Sequence, residues 1–216
     1  MKLYYHPLST YSQKVMIAFN EKGIEYEPEL VDLMTPEGRA AYTAIYPLCK
    51  VPMFKPSEDW MVPESSIIIE YLDDKSPDTP RLIPAGGGDA QRQVRFMDRM
   101  ADLYLNDPVR ELLFQQFGFK PVNEGDAAVA RNAIKVSYDH LDKRLSGQEW
   151  ICGDFSMADC AAIPPLYYAQ TVAPFADRPN LVSYWERAQM RPSYARIMRE
   201  FVPIWEGRLA GSAAAE

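Results

Sequence analysis

Four residues with side-chain hydroxyls follow one another near the start of the chain, Ser9-Thr10-Tyr11-Ser12. They lie between a short apolar strand pattern and the start of an amphipathic helix pattern. A helix N-terminus carries unpaired backbone N–H groups and partial positive charge, so hydroxyls there are suited to hold an anion such as phosphate, carboxylate or thiolate. Redox domains carry Cys-x-x-Cys at this strand-to-helix position, and here oxygens replace both sulfurs.

A second candidate is the dipeptide Val51-Pro52, at the start of a short strand pattern. A proline at the edge of a strand cannot donate to the ladder, and a cis bond there turns the backbone groups of Val51 outward. An extended peptide ligand then pairs with them like an added strand. From the dipeptide alone, a simple turn proline that opens an edge strand is the favoured interpretation.

A third candidate is Glu64-Ser65, directly before an apolar run. Ser65 fits a helix N-cap whose hydroxyl and nearby N–H groups bind a carboxylate, and Glu64 suits the ammonium of the same ligand. Together they resemble a site for an amino-acid head group, although a plain cap worth about 1 kcal/mol is the simpler interpretation. A fourth pattern, Ser156-x-x-Asp159, is a capping box; its short Asp predicts a constrained, buried cap, a structural role.

Composition and charge narrow the classes of partner. The formal net charge is −7, whereas nucleic-acid binding relies on basic surface, and no apolar run is long enough to span a bilayer. The first residues are too few and too polar for a secretory signal. Three cysteines without metal-ligand spacing and two distant histidines predict no metal site and suit a reducing compartment. We therefore expect a cytoplasmic protein with no nucleic-acid or membrane partner.

The elements that position these residues fall into two parts. The first 76 residues alternate in the order β-α-β-α-β-β-α, which predicts a thioredoxin-like α/β domain. A Pro- and Gly-rich linker over 77–88 follows, and 89–216 predicts an all-helical domain with a frayed tail from Gly207. Strands are expected over 2–5, 25–30, 51–54 and 60–62, and helices over 11–22, 36–42, 64–72, 89–117, 126–145, 157–169, 180–190 and 193–201. Pro164-Pro165 should kink or end the helix that contains them.

In this order and at these separations, the four features resemble the cytosolic glutathione transferase family, and the likeness extends from Met1 to about Trp205. In that family the first turn contacts the glutathione sulfur, the Val-Pro bond is cis and pairs with the cysteinyl backbone, and the Glu-Ser pair holds the γ-glutamyl end. The resemblance implies glutathione as co-substrate, no metal, and Ser9 as the catalytic residue. The residues it places on glutathione are Ser9, Tyr11, Lys50, Val51, Pro52, Glu64 and Ser65.

The run from Ser9 to Ala18 is most similar to the zeta pattern Ser-Ser-Cys-Ser-Trp-Arg-Val-Arg-Ile-Ala, and the zeta, tau and omega classes place their sulfur-contacting group at the position of Ser9. Tyr11 and Met16 replace the zeta-type Cys and Arg, which weighs against that class's isomerase activity. Cys49 stands where the family often has Gly, so we expect a differently shaped loop. A buried, unreactive thiol is favoured at Cys49 over a redox-active one.

The implied activity is glutathione conjugation of small, largely apolar electrophiles, as in detoxification. A free thiol has a pKa of about 8.5, and lowering it by about 2 units needs about 2.7 kcal/mol. A hydroxyl donated by Ser9, with Thr10, Tyr11 or Ser12 as alternatives, together with the helix N-terminus supplies that amount. The electrophile pocket is expected between the domains, with candidate lining residues that also fit a core: Met97, Met100, Tyr104, Phe114 and Trp205.

Several alternatives remain open from the sequence. If the chain forms a homodimer as the family does, Asp98 or Asp102 could reach the ligand ammonium of the partner subunit, but an exposed helical charge is the simpler interpretation. The same site also suits a glutathione-dependent isomerase, dehalogenase or etherase. A non-catalytic binding module predicts loss of the ligand-binding residues, which are present. A thiol reductase is disfavoured because Ser9 and Ser12 replace the sulfurs.

Overall fold

The first part of the chain is built on a four-stranded sheet. The computed structural model describes the backbone of residues 1–213 and the side chains of residues 1–210. The strands are β1 (Lys2–Tyr5), β2 (Glu27–Leu30), β3 (Met53–Ser57) and β4 (Trp60–Pro63). Their order is β2-β1-β3-β4, with β1 parallel to β2, and with β3 antiparallel to both β1 and β4.

Three helices cover this sheet: α1 (Thr10–Lys22), α2 (Pro36–Ile45) and α3 (Ser65–Lys75). Side chains of a strand alternate between faces, so Leu3 and Phe54 join the core under α1 and α3, whereas Tyr4 and Met53 pack with Tyr42 of α2 on the other face. The element order is the thioredoxin-like one that the sequence predicted, so that part of the fold prediction is confirmed.

The second part is helical apart from two isolated bridges at residues 150–154. Its helices are α4 (Asp89–Met100), a π-helical segment (Ala101–Asn106), α5 (Asp107–Gln116), α6 (Glu124–Arg144), α7 (Met157–Val172), α8 (Pro179–Gln189) and α9 (Pro192–Ala213). The predicted all-helical second domain is therefore confirmed for the described residues. Helix α1 packs against both α7 and α9, so the two parts share one apolar core.

Two helix predictions in this part need correction. The apolar pattern predicted one helix over 89–117, but the helix widens into the π-helical segment between α4 and α5. The tail from Gly207 was expected to be frayed, but α9 continues to Ala213 because Trp205, 5% exposed, packs edge-on against Tyr168 at 4.9 Å. Residues 214–216, also part of that predicted tail, lie outside the described residues.

Helix α7 is anchored at its start by the predicted capping box. The Asp159 carboxylate accepts the Ser156 backbone N–H at 2.9 Å, the Ser156 hydroxyl at 3.1 Å and the Ile151 N–H at 3.0 Å. Burial raises the pKa of Asp159 to about 6. The prediction of a buried, constrained cap is confirmed. Pro164 and Pro165 do not end the helix, which continues to Val172.

The connection between the two parts is held by a buried ion pair. The Lys22 ammonium lies 2.7 Å from the Asp73 carboxylate, and both side chains are almost fully buried. Asp73 also accepts the backbone N–H groups of Leu82 and Ile83 from the connection. The middle of the 77–88 segment, which was predicted as a linker, is thus bound to the C-terminal end of α3.

Candidate active site

One cleft of about 890 Å³ lies between the sheet domain and the helices α4, α5 and α9. Its walls bring together every residue that the sequence placed on glutathione: Ser9, Tyr11, Lys50, Val51, Pro52, Glu64 and Ser65. They come from the starts of α1 and α3 and from the loop before β3, because all three points lie at one edge of the sheet. Residues separated by more than fifty positions in the sequence therefore face a common space.

Ser9 is the N-cap of α1. Its hydroxyl oxygen accepts the Ser12 backbone N–H at 3.2 Å, and its own proton has no acceptor among the described residues. The backbone N–H groups of Thr10 and Tyr11 also lack a backbone acceptor within the described chain. Ser9 therefore offers a hydroxyl proton beside the positive end of a helix, which suits an anion.

The other three hydroxyls of the first turn differ from Ser9. Thr10 lines the cleft as Ser9 does. Tyr11 lines it too, but its hydroxyl donates to Asp107 at 3.1 Å, and burial raises the pKa of Tyr11 well above its usual value. Ser12 is fully buried away from the cleft, where its hydroxyl oxygen accepts the His6 N–H at 3.3 Å. Ser12 is thus placed to hold the turn rather than to touch a ligand.

The loop before β3 supplies a backbone site. The Val51–Pro52 bond is cis, as the resemblance implied. The described residues provide no backbone hydrogen-bond partner for either polar group of Val51. Cys49, half-buried in the same wall, has a φ of 51°, so the loop adopts the left-handed conformation without glycine. Cys49 thus adopts the positive φ that glycine takes at low cost, and the expectation of a buried thiol at this position is wrong.

The start of α3 carries the polar pair of the third sequence pattern. The prediction of Ser65 as the N-cap is wrong, because Ser65 is already the first helical residue and Glu64 is the N-cap, without a side-chain capping bond. Ser65 is buried, whereas Glu64 is exposed in the cleft and has a φ of 69°. Such a backbone conformation is unfavourable for a residue with a Cβ and often occurs at binding sites. It directs the Glu64 side chain and the first N–H groups of α3 to one place, where a carboxylate and an ammonium of one ligand would both find partners.

A buried charge cluster lies beneath the cleft. The Lys14 ammonium of α1 is 2.6 Å from Asp98 and 2.8 Å from Asp102, and all three side chains are at most 4% exposed. Burial, with the Asp98 charge adding to it and Lys14 opposing it, raises the pKa of Asp102 to about 6. The expectation of exposed helical charges at Asp98 and Asp102 is therefore wrong, because both carboxylates bind α1 of their own chain.

The opposite end of the cleft is aromatic. Phe114 and Trp205 line it as predicted from the sequence, together with Phe117, Phe119 and Tyr168. Met97 and Met100 instead lie in the core, and Tyr104, 58% exposed, faces away from the cleft. The structure does not bring these three to the site, because α4 turns Met97 and Met100 into the shared core and the π-helical segment exposes Tyr104.

Sequence reasoning missed the arginines of the cleft, namely Arg39, Arg99, Arg110 and Arg208. Arg99 and Arg110 follow the pattern of a solvated helix face, and each has an acidic neighbour three residues away. Arg208 lies in the segment that was predicted to be frayed. Its spacing of three from Trp205 is the one signal that would have placed it on the same helix face.

No helix within the described residues is long and apolar enough to cross a membrane. In that same part of the chain, no group of three or more His, Cys, Asp or Glu side chains is arranged to hold a metal ion.

Comparison with known proteins agrees with the fold and the cleft. Residues 3–80 match the family model for the glutathione S-transferase N-terminal domain, and residues 100–192 match that for the C-terminal domain. A probable maleylacetoacetate isomerase of Caenorhabditis elegans is 30% identical over 173 residues, covering 77% of each chain. Glutathione S-transferase 3 of Zea mays is 29% identical over 211 residues, covering 92% of this chain and 93% of the relative.

A solved structure of a glutathione S-transferase from Methylobacillus flagellatus with glutathione bound superposes with a TM-score of 0.80 and 27% identity, covering 91% of this chain and 98% of the other. Fold and cleft together define a thioredoxin-like domain joined to a helical domain, with a peptide-sized site at their junction. The chain belongs to the glutathione S-transferase family, whose members are in general transferases that use glutathione.

Proposed function

We propose that the protein activates the thiol of glutathione as a thiolate for attack on small, largely apolar electrophiles. The observation that supports this most is the single cleft in which the start of α1, the free backbone of Val51 and the Glu64-Ser65 pair meet an aromatic wall. Glutathione has a thiol, two amide groups and three charged groups, namely one ammonium and two carboxylates. The polar groups of the cleft are complementary to these.

Each part of the peptide has a counterpart. The γ-glutamyl carboxylate fits the hydroxyl and N–H groups of Ser65, and its ammonium fits Glu64. The cysteinyl backbone pairs with Val51 as an added strand does. The glycyl carboxylate then lies toward Lys50 and Arg39, which both line the cleft beside Cys49. In this orientation the sulfur is directed to the start of α1.

Ser9 supplies the hydrogen bond that favours the thiolate. Lowering the thiol pKa from about 8.5 to about 6.5 requires about 2.7 kcal/mol of preferential stabilisation of the anion. A hydrogen bond from a hydroxyl to a charged acceptor contributes about 1.5–3 kcal/mol, and a helix N-terminus about 0.3–1 kcal/mol. Ser9 and the free N–H groups of Thr10 and Tyr11 therefore suffice without a general base. The thiolate attacks the electrophilic carbon, and the leaving group departs with the bonding electrons.

Binding and proton release test the proposal together. Calorimetric titration of the protein with glutathione in two buffers of different ionisation enthalpy should show binding with loss of a proton near pH 7. Glu64→Gln, which keeps the size of the side chain, should weaken binding about 10-fold, because one charged hydrogen bond is lost. Turnover is measured as the conjugation of glutathione to a chromogenic aryl halide. Absence of glutathione binding would refute the proposal and favour a non-catalytic module.

A glutathione-dependent isomerase is the alternative, since one relative bears the name of a maleylacetoacetate isomerase. Both reactions begin with the same thiolate. They differ in the fate of glutathione, which a conjugating enzyme consumes and an isomerase regenerates. Measuring free thiol during turnover distinguishes them: loss of one thiol per product supports conjugation, and constant thiol supports isomerisation.

The proposed active form is a homodimer in the cytoplasm, where such an enzyme acts in detoxification. Two exposed apolar side chains, Ile67 of α3 and Phe96 of α4, provide a candidate contact face. The three cysteines are free thiols, which suits a reducing compartment. Light scattering of the wild type and of Phe96→Glu tests the dimer: a dimeric wild type and a more dissociated variant are expected.

A further inference from the structure

Arg208, one of the arginines of α9, indicates the class of electrophile. We infer that Arg208 binds a carboxylate on an aromatic electrophile held in the same cleft. This inference rests on the proposed function and narrows it to anionic aromatic substrates. Trp205 forms part of the aromatic wall, and Arg208 follows it by three residues on α9, so both side chains face the cleft.

Among the described residues, Arg208 differs from Arg99 and Arg110 in having no carboxylate partner. Arg110 lies 3.2 Å from Asp107, and Arg99 lies 3.7 Å from Asp102. Among the side chains of residues 1–210, no carboxylate lies within 4 Å of the Arg208 guanidinium, which instead lies over the Phe119 ring at 5.1 Å from its centre. A planar guanidinium on an aromatic face keeps its hydrogen-bond edge free for a carboxylate.

In the proposed orientation of glutathione, none of its charged groups pairs with Arg208. In the proposed orientation the two carboxylates of glutathione lie at Ser65 and at the Lys50 end of the cleft, and its ammonium lies at Glu64. Arg208 belongs to the other end, among Phe119, Tyr168 and Trp205. Arg110 also lies at this end, 5.7 Å from the centre of the Phe114 ring, but its charge is paired with Asp107, whereas Arg208 has no carboxylate partner among the described residues.

An aromatic carboxylate fits both features of this end. Its ring packs among Phe114, Phe117 and Trp205, and its carboxylate accepts two hydrogen bonds from the guanidinium in parallel. With an aryl chloride as probe, the thiolate forms a sulfur–carbon bond at the ring carbon, and chloride leaves with the electron pair of the broken bond. The ring is then held at one end while the sulfur approaches the other.

A matched pair of probes tests the inference. The enzyme is assayed with a chlorodinitrobenzoate and with its methyl ester, which have the same reacting carbon but differ in charge. For Arg208→Met we expect kcat/KM for the benzoate to fall about 10- to 100-fold, mainly through KM, and kcat/KM for the ester to change less than about 3-fold. Arg208→Lys should restore part of the benzoate activity. Arg131→Met on α6, an exposed arginine outside the cleft, is the matched control.

Each other outcome is decisive. If Arg208→Met lowers kcat/KM for both probes equally and raises the pKa of the bound thiol, Arg208 acts on the thiolate and the inference is wrong. If neither probe responds, Arg208 serves only to pack on Phe119 and the inference is again wrong, while the proposed function stands. If the wild type binds no glutathione and conjugates neither probe, the proposed function fails and the inference falls with it.

Discussion

Removing the Ser9 hydroxyl is the most direct test of how the thiolate is stabilised. Ser9→Ala deletes a hydrogen bond to an anion worth about 1.5–3 kcal/mol, and one pKa unit corresponds to about 1.36 kcal/mol. The pKa of bound glutathione should therefore rise by about 1–2 units. The helix N-terminus, which adds about 0.3–1 kcal/mol, remains in the variant, so the thiol should not return to the value of free glutathione.

The assay combines a spectroscopic and a kinetic readout. Thiolate absorbance of the complex, titrated with pH, gives the pKa of the bound thiol, and kcat/KM for a neutral aryl halide is measured over the same range. At about pH 6 the variant should be slower by about 10- to 100-fold, because that is the loss in thiolate fraction for a shift of 1–2 units. Near pH 9 the two enzymes should converge, because both then hold thiolate.

A loss of helix capping has to be separated from this effect. Ser9 also accepts the Ser12 N–H at 3.2 Å, so Ser9→Ala should lower the free energy of unfolding by about 1 kcal/mol. Ser9→Thr keeps both the cap and the donor and should retain a low thiol pKa. Ser12→Ala removes a buried hydroxyl outside the cleft and should change stability without changing that pKa. A Ser9→Ala complex with an unchanged thiol pKa would show that the reasoning is wrong, and Thr10 would then be the next donor to test.

Three further predictions concern stability. Cys49→Gly should raise the free energy of unfolding by about 0.5–1 kcal/mol, since glycine accepts a φ of 51° without strain; a lower melting temperature would contradict this. Below pH 4 the unfolded and native forms both hold the Asp102 proton, and from about pH 4 to about pH 6 only the native form does. Stability should therefore fall across that window, by about 3 kcal/mol for a shift of about 2 units, and denaturant titrations of Asp102→Asn should show a smaller fall. Asp159→Ala leaves two buried backbone N–H groups without an acceptor and should cost about 3–5 kcal/mol in urea unfolding; a loss below 1 kcal/mol would refute the role of the capping box.

The parts of the site that local physics determines were predictable from the sequence. The hydroxyl cluster at the start of α1 and the Ser156-x-x-Asp159 box each depend on residues within a few positions of one another, whereas the cap of α3 is Glu64 rather than the predicted Ser65. The element order of the first 76 residues likewise follows from strand and helix patterns that are complete in themselves. A sheet edge then brings the starts of α1 and α3 together, because the chain order of a thioredoxin-like domain leaves few other arrangements.

The aromatic end of the cleft could not be predicted in the same way. Met97, Met100 and Phe114 lie on one apolar pattern, and which of them faces the core depends on the π-helical segment between them. One signal lies just beyond the segment: Pro108 has no N–H to donate to the carbonyl of Tyr104 four residues earlier, and that carbonyl instead accepts the Ser137 hydroxyl at 2.6 Å. The role of Lys14 was equally unpredictable, since the two buried carboxylates that it contacts belong to residues more than eighty positions away.

The Lys14 cluster has a consequence for the chemistry above it. Two carboxylates share the Lys14 ammonium, and the Arg99 guanidinium lies 3.7 Å from Asp102, so the ionised cluster has two positive and two negative charges beneath the helix whose N-terminus is proposed to hold the thiolate. The cluster therefore adds no net charge beneath α1, and the hydroxyl of Ser9 and the N–H groups of α1 are the groups proposed to stabilise the thiolate at the sulfur itself. The same cluster joins α1 to α4 and to the π-helical segment, and removing one partner of a buried ion pair typically costs about 3–5 kcal/mol. The cluster therefore fixes the position of Ser9 against the helical domain, and with it the distance between the proposed sulfur position and the aromatic wall.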